Sequence, residues 1–202
     1  MGINFKSQKI AGHFPELWRG ECAVLPGGFT PVNTIEIGKV VHRGTPLFVD
    51  FDKRTAAVCK TALVVSGGTT TAPRVAKGHL FAVGDTVAVN EGATAVSVKS
   101  IDTANTDYDV ITFDKALTGV KADDVLIESE SEISEGKATS KYVPNMIVSA
   151  DKEFKTTGLN TLDAGYDARV LKTSLKNTPW LDSWMIGGVC LAMNPNILVI
   201  TQ

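Results

Sequence analysis

Apolar and polar side chains alternate along much of this chain with the period of two that is typical of β-strands. Residues 47–51 show the pattern clearly, because their three apolar members fall on one face of an extended segment: Leu47, Val49 and Phe51. Short runs of the same kind recur, separated by turn residues. The further predicted strands are 34–41, 55–60, 63–65, 86–89, 95–101, 108–113 and 125–127.

Helical periodicity is nearly absent. The best helical candidate is the segment 167–176. Its apolar residues Val170, Leu171 and Leu175 would form a short stripe. A strand centred on 169–171 fits the same residues equally well. We therefore expect a mainly β protein with little helix.

The best-defined unit is a run of short strands between Phe81 and Glu128, with turns about every eight to twelve residues. This spacing favours a small antiparallel barrel or sandwich. A glycine- and threonine-rich stretch, 66–73, precedes the run, and an acidic, serine-rich stretch, 128–137, follows it. We interpret the first as a boundary and the second as a solvated linker or loop.

These two stretches predict a discontinuous organisation. Residues 1–66 and 136–202 would form a β-rich outer domain, and residues 67–135 would form a small β-module inserted into it. The Asn-Pro-Asn sequence at 194–196 separates two apolar runs and predicts the turn of a final hairpin.

The composition is ordinary for a globular protein, with 44% hydrophobic and 21% charged residues among 202. The net charge of -2 gives no general attraction to nucleic acid or to anionic membranes, so neither is expected as a partner. The longest apolar run, 185–193, contains two glycines and is about half the length needed to cross a bilayer.

Cysteine usage and the first residues predict a protein that is made in a cytoplasm. Cys22, Cys59 and Cys190 are odd in number and widely spaced, so we expect reduced core residues. Residues 1–7 lack the apolar stretch of a signal peptide.

The usual catalytic groups do not converge in the sequence. His13, His42 and His79 each lie beside turn residues, and none is spaced to share a metal with another ligand, so we expect exposed loop histidines. No nucleophile elbow, phosphate-binding loop or Cys–His signature occurs. The prediction is a protein that is not an enzyme and has no cofactor or metal.

Two groups of carboxylates leave alternatives open. In the loop 102–109, three aspartates and Asn105 could hold calcium, but their spacing favours an Asx-type turn. Asp50 and Asp52 could form an acidic pair, and a carboxylate hydrolase that uses them is the enzymatic alternative. Solvated charges that discourage edge-to-edge pairing explain them better.

Tryptophans are the candidates for contacts with partners. Trp180 and Trp184 are four positions apart, and Trp18 lies near the other end of the chain. Core packing is one interpretation. An interface anchor is another, because tryptophan supplies a large apolar area with little side-chain entropy to lose. A third is a carbohydrate-stacking platform that uses Trp180, Trp184 or Tyr108.

Several segments resemble a module of bacteriophage and prophage head proteins. They are 83–87 (VGDTV), 98–102 (VKSID), 105–113 (NTDYDVITF) and 122–126 (ADDVL). The flanking segments 24–31 (VLPGGFTP) and 43–50 (RGTPLFVD) look similar to head fibre or head decoration proteins of phages from gut Bacteroidales.

The resemblance implies a virion structural protein that binds the capsid exterior as a head fibre or decoration protein. It implies a homo-oligomer, with a trimer favoured, whose outer domain contacts its own copies and the capsid protein. Assembly would take place in the cytoplasm of the bacterial host. The alternative is a carbohydrate-binding or other β-rich adhesion module with a surface glycan as partner.

Overall fold

A computed structural model describes residues 17–25, 28–133, 136–175 and 179–201 of the chain. His13, one of the predicted loop histidines, lies outside the described residues. Strands make up 42% and helix 3%, which confirms the mainly β class with little helix.

The described residues form seventeen strands and two short 3-10 turns, Lys172–Ser174 and Asp182–Trp184. In chain order the strands are β1 (Ala23–Val24), β2 (Thr30–Pro31), β3 (Val40–Val41), β4 (Pro46–Asp50), β5 (Thr55–Val58), β6 (Thr61–Val65), β7 (Arg74–Ala76), β8 (Thr86–Ala88), β9 (Ala95–Asp102), β10 (Tyr108–Phe113), β11 (Val125–Glu128), β12 (Met146–Val148), β13 (Lys152–Glu153), β14 (Ala164–Leu171), β15 (Met185–Ile186), β16 (Cys190–Leu191) and β17 (Asn194–Ile200).

Nine strands form one open sheet. Eight of them follow the order β15-β16-β17-β14-β12-β4-β5-β2, and β1 pairs with β14 outside this order. The pairs β14–β17 and β2–β5 are parallel, while the other neighbours are antiparallel. Strands β3 and β13 form a separate two-stranded ribbon. The core of the open sheet includes the fully buried side chains Leu47, Leu162 and Ile197.

Strands β6 to β11 close into a barrel in the order β10-β7-β6-β11-β8-β9. All six pairs are antiparallel. Alternate side chains fill the interior, among them Val75, Val87, Ile111 and Leu126. Closure pairs both edges of every barrel strand. A small antiparallel barrel is one of the two forms that the spacing of turns favoured for residues 81–128. Strands β6 and β7, which precede residue 81, complete it.

The barrel begins earlier in the chain than the predicted boundary at residue 66. Strand β6 lies before that boundary, yet it pairs with β7 and β11 inside the barrel. Its residues Ala62 and Val64 pack in the barrel core. The stretch 66–73 is therefore a loop within the barrel, because glycine-rich sequence marks a turn inside a unit as readily as a boundary between units.

The acidic stretch 128–137 is not wholly solvated, contrary to the prediction. Glu128 and Ser129 are buried. Glu128 ends strand β11, and its Oε1 accepts a hydrogen bond from Lys141 Nζ at 2.6 Å. The pairing with this lysine offsets part of the cost of burying the carboxylate, whose Oε2 is buried without a hydrogen-bond partner.

Two predicted strands are shorter in the structure. Of the segment 34–41, only Val40–Val41 is a strand, because the chain turns at Gly38 with φ +87°. Phe51 lies in the turn after β4 and is half exposed, so it does not share the buried face of that strand.

The segment 167–176 is a strand where the residues allowed two interpretations. Strand β14 continues to Leu171, because β17 and β1 pair with its two edges. The 3-10 turn Lys172–Ser174 follows it, and residue 176 lies outside the described residues.

The Asn-Pro-Asn sequence is not the turn of the final hairpin. Strand β17 begins at Asn194, and the chain reverses just before it, at residues 192–193. The Asn194 amide is buried; its Nδ2 donates to the carbonyl of Tyr166 at 3.0 Å, and its Oδ1 accepts from the N–H of Asn196 at 3.2 Å. These bonds hold the asparagine within the sheet.

Candidate functional site

An apolar cluster lies between the barrel and the open sheet, and we call it the junction. Its buried members are Cys59, Ala88, Ala95, Ile127, Ala138, Leu181 and Trp184. Trp184 is the largest of them; its side chain is 2% exposed, and its Nε1–H donates to Ser140 Oγ at 3.0 Å. The large apolar area of this tryptophan therefore holds the barrel to the sheet within one chain.

The other two tryptophans pack on the core of the open sheet. Trp180 is 7% exposed, and its Nε1–H donates to the carbonyl of Gly44 at 3.0 Å. Trp18 is half-buried against the same core, and the Arg43 guanidinium lies 5.9 Å from its ring centroid. Core packing thus describes Trp180 and Trp184, and Trp18 alone keeps a partly exposed ring.

The rings considered for carbohydrate stacking do not present open faces. Trp180 and Trp184 are buried, and the Arg74 guanidinium lies 4.4 Å from the ring centroid of Tyr108. A sugar on that face of the tyrosine ring would have to displace this arginine.

Two ion pairs lie close to the points where the chain enters and leaves the barrel. Lys60, between β5 and β6, places its Nζ 2.7 Å from Asp85 Oδ2. Lys141, on the returning chain, lies 2.6 Å from Glu128 Oε1. Burial opposes the charge of Lys141, but the hydrogen bond and the charge of Glu128 raise its pKa above the usual range. Sequence reasoning missed both pairs, because the partners are 25 and 13 residues apart.

His79 is buried, so the prediction of an exposed loop histidine is wrong at this position. Its ring contacts Asp109, with 3.3 Å between Nε2 and Oδ2. The other oxygen of Asp109 lies 2.6 Å from Lys77 Nζ. His42 is partly exposed beside Asp151, at 3.7 Å between Nδ1 and Oδ1.

The loop 102–109 contains Asx-type turns, as its spacing favoured. The N–H of Ala104 donates to Asp102 Oδ1, and the N–H of Asp107 donates to Asn105 Oδ1, both at 2.9 Å. Asp109 accepts a hydrogen bond from Lys77 Nζ, which also donates to the carbonyl of Thr103 in this loop. Among the residues that the structure describes, no group of three or more His, Cys, Asp or Glu side chains could hold a metal ion.

Asp50 stabilises the turn between β4 and β5. Its Oδ1 accepts from the N–H of Lys53 at 3.0 Å, and its Oδ2 lies 3.1 Å from Lys53 Nζ. The hydrogen bond from this N–H and the lysine ammonium lower the pKa of Asp50. Asp52 is exposed in the same turn. Turn stabilisation therefore accounts for Asp50.

The three cysteines are free. Cys59 is buried in the junction, and burial, with the nearby charge of Glu128, raises the pKa of its thiol. Cys22 is half-buried, and burial followed by the charge of Asp167 raises its pKa as well. The core role is confirmed for Cys59, whereas Cys22 and Cys190 are only partly buried.

The hairpin of β15 and β16 carries exposed apolar residues at one edge of the open sheet, and we call it the apolar hairpin. Its turn closes with a hydrogen bond from the N–H of Val189 to the carbonyl of Ile186 at 3.0 Å. Gly187 and Gly188 have φ of +59° and +70°, conformations that glycine adopts at little cost. Ile186 and Val189 flank the turn, each 56% exposed. Exposed apolar side chains that lie together on one hairpin make it a candidate contact surface.

The chain was compared with protein-family models, curated proteins and solved structures. No match was found. No helix in the described part of the chain is long and apolar enough to span a membrane.

Proposed function

We propose that this chain is a structural protein of a phage virion that binds the capsid exterior as a head fibre or decoration protein. The resemblance of its segments to phage head proteins supports the class. The apolar hairpin is the structural observation that supports a binding role, since it places apolar side chains in water on a β scaffold.

The scaffold suits such a role because the barrel is held firmly to the sheet. Trp184 fills the junction, and the pairs Lys60–Asp85 and Lys141–Glu128 lie near the two chain crossings. Strands β15 and β2 lie at the two ends of the eight-strand order. Pro31 in β2 has no N–H to donate, so β15 is the edge better suited to a new partner.

We assign the apolar hairpin to contacts between copies of this chain. The opposite end of the sheet, near β2, carries the half-exposed Val32 and Phe51. A contact between two different edges is head-to-tail, and it gives a closed ring when the rotation between copies closes. A trimer is the ring that the family resemblance favours.

Light scattering and sedimentation test this function. We expect a mass in solution of three times 21.5 kDa and co-sedimentation with purified phage heads that lack this protein. The double change Ile186→Ser and Val189→Ser should give a folded monomer. Leu159→Ser, at a residue that is 83% exposed elsewhere, is the matched control and should stay trimeric.

A wild-type monomer without affinity for phage heads would contradict the proposal. If the double variant is still a trimer, the hairpin is not part of the interface. The co-sedimentation with phage heads then tests the virion role by itself.

A further inference from the structure

Residues 77–81, between β7 and β8, contribute to the cores of both the barrel and the open sheet, and we call them the latch loop. Leu80 packs in the core of the open sheet. Phe81 packs in the core of the barrel. His79 precedes them, with a side chain that is 1% exposed. Two successive residues thus tie the barrel to the sheet, beside a buried ionisable ring.

Each nitrogen of the His79 ring has a defined neighbour. Nδ1 accepts a hydrogen bond from the N–H of Phe81 at 3.2 Å. The neutral ring therefore carries its proton on Nε2, which lies 3.3 Å from Asp109 Oδ2. A second proton would occupy Nδ1 and point at the N–H of Phe81. Protonation thus removes the bond that shapes the loop and sets two donors against each other.

The charges around the ring do not favour a further cation. Asp109, on β10, already pairs with Lys77 Nζ. Lys39, just before β3 of the two-stranded ribbon, adds a positive charge. Burial, the largest cause, lowers the pKa of His79 to about 4 together with the two lysines, while Asp109 acts in the opposite direction.

One more pair lies next to the loop. A side chain at Gly78 would meet the ring of His42 at 4.0 Å, so His42 borders the latch loop, and His42 is paired with Asp151. His42 is 40% exposed. Its charge can therefore be solvated where that of His79 cannot.

We propose that the latch loop is an acid-sensitive device in which protonation of His79 withdraws Leu80 from the core of the open sheet and so removes one tie between the barrel and the sheet. The buried ring would have to reach water to keep its second proton, and it cannot do so while Leu80 and Phe81 are packed in their two cores. Return to neutral pH restores the bond from the N–H of Phe81 and reseats the loop. This device does not depend on the virion role.

Hydrogen exchange of the full chain at pH 7 and pH 4, corrected for the intrinsic exchange rates, tests the latch. A histidine with the ordinary pKa of 6.5 in the open loop and about 4 in the closed loop shifts the opening equilibrium by about 100-fold over this range. We expect that gain in exchange at the latch loop and at Val40–Val41. Strands β9 and β10 should keep their protection, and circular dichroism should stay unchanged.

Two variants separate the histidines. His79→Gln keeps an acceptor for the N–H of Phe81 but cannot titrate, so its loop should stay closed at pH 4. His42→Gln is the matched control and should open as the wild type does. If His79→Gln fails to fold, the imidazole of His79 can be titrated by NMR in the wild type, and its midpoint should coincide with loop opening.

The proposal is wrong if the wild-type loop stays protected at pH 4, or if β9 and β10 lose protection together with it. It is also wrong if His79→Gln opens like the wild type, or if the NMR midpoint of His79 and the opening of the loop occur at different pH.

Discussion

Replacing Asp85 with asparagine should destabilise the protein more than most single changes at its surface. The asparagine keeps the size of the side chain and can still accept the N–H of Ala82, which Asp85 Oδ2 now accepts at 2.8 Å. It removes the negative charge 2.7 Å from Lys60 Nζ. The Lys60 side chain is 2% exposed, so water cannot take the place of the carboxylate.

The expected loss of unfolding free energy is about 3–4.5 kcal/mol. Removing one partner of a buried ion pair costs about 3–5 kcal/mol. The cost has a ceiling, because a lysine without a counter-charge can release its proton, which costs about 4.6 kcal/mol at pH 7 for an ordinary lysine. Removing the other partner, by Lys60→Met, should lower the free energy of unfolding by only about 1–2 kcal/mol. Asp85 keeps its hydrogen bond from the N–H of Ala82 and is 15% exposed to water.

Urea denaturation at pH 7, followed by circular dichroism, measures these losses. The double variant Lys60→Met with Asp85→Asn should be more stable than the sum of the single losses predicts, by at least about 1 kcal/mol. A loss below about 1 kcal/mol for Asp85→Asn would refute the reasoning, and so would strict additivity in the double variant. Either result would mean that the ammonium of Lys60 finds another partner or reaches water.

Two further changes test the packing. In urea denaturation, Trp184→Ala should lower the free energy of unfolding by about 3–5 kcal/mol and Trp184→Phe by about 1–2 kcal/mol. The phenylalanine loses mainly the hydrogen bond to Ser140. Equal losses for the two variants would place the tryptophan outside the junction. Gly165→Ala should cost about 1–3 kcal/mol, because the added Cβ would overlap Cys22 Sγ. Adding Cys22→Ala should restore about half of that stability, and a Gly165→Ala variant with no loss would contradict the close packing of β1 on β14.

Many of the strands could be predicted from the sequence. The alternation in 108–113 corresponds to β10, whose residues are alternately buried and half-buried. Such a pattern depends only on neighbours two positions away. The Asx-type turns of the loop 102–109 are equally local, since each side chain bonds to an N–H two residues on. Short-range geometry explains why these predictions match the structure.

The candidate site was only partly predictable. The sequence singles out the tryptophans, but it leaves open whether Trp180 and Trp184 pack in the core, anchor a partner or stack on a sugar. The sequence shows that residues 185–193 are apolar. It does not show that they form a hairpin with exposed side chains. Burial depends on which strands stand opposite, and that is decided over the whole chain.

The sequence by itself determined the β class, most of the barrel strands and the Asx-type turns, because each follows from the spacing of residues near one another. Only the tertiary structure decided that β6 joins the barrel, that Asn194 lies within a sheet, and that His79 and Lys60 are buried. These outcomes depend on partners far away in sequence, such as the barrel strands β7 and β11 for β6 and Asp109 for His79. A local sequence pattern does not show which distant residue will pair with a buried charge.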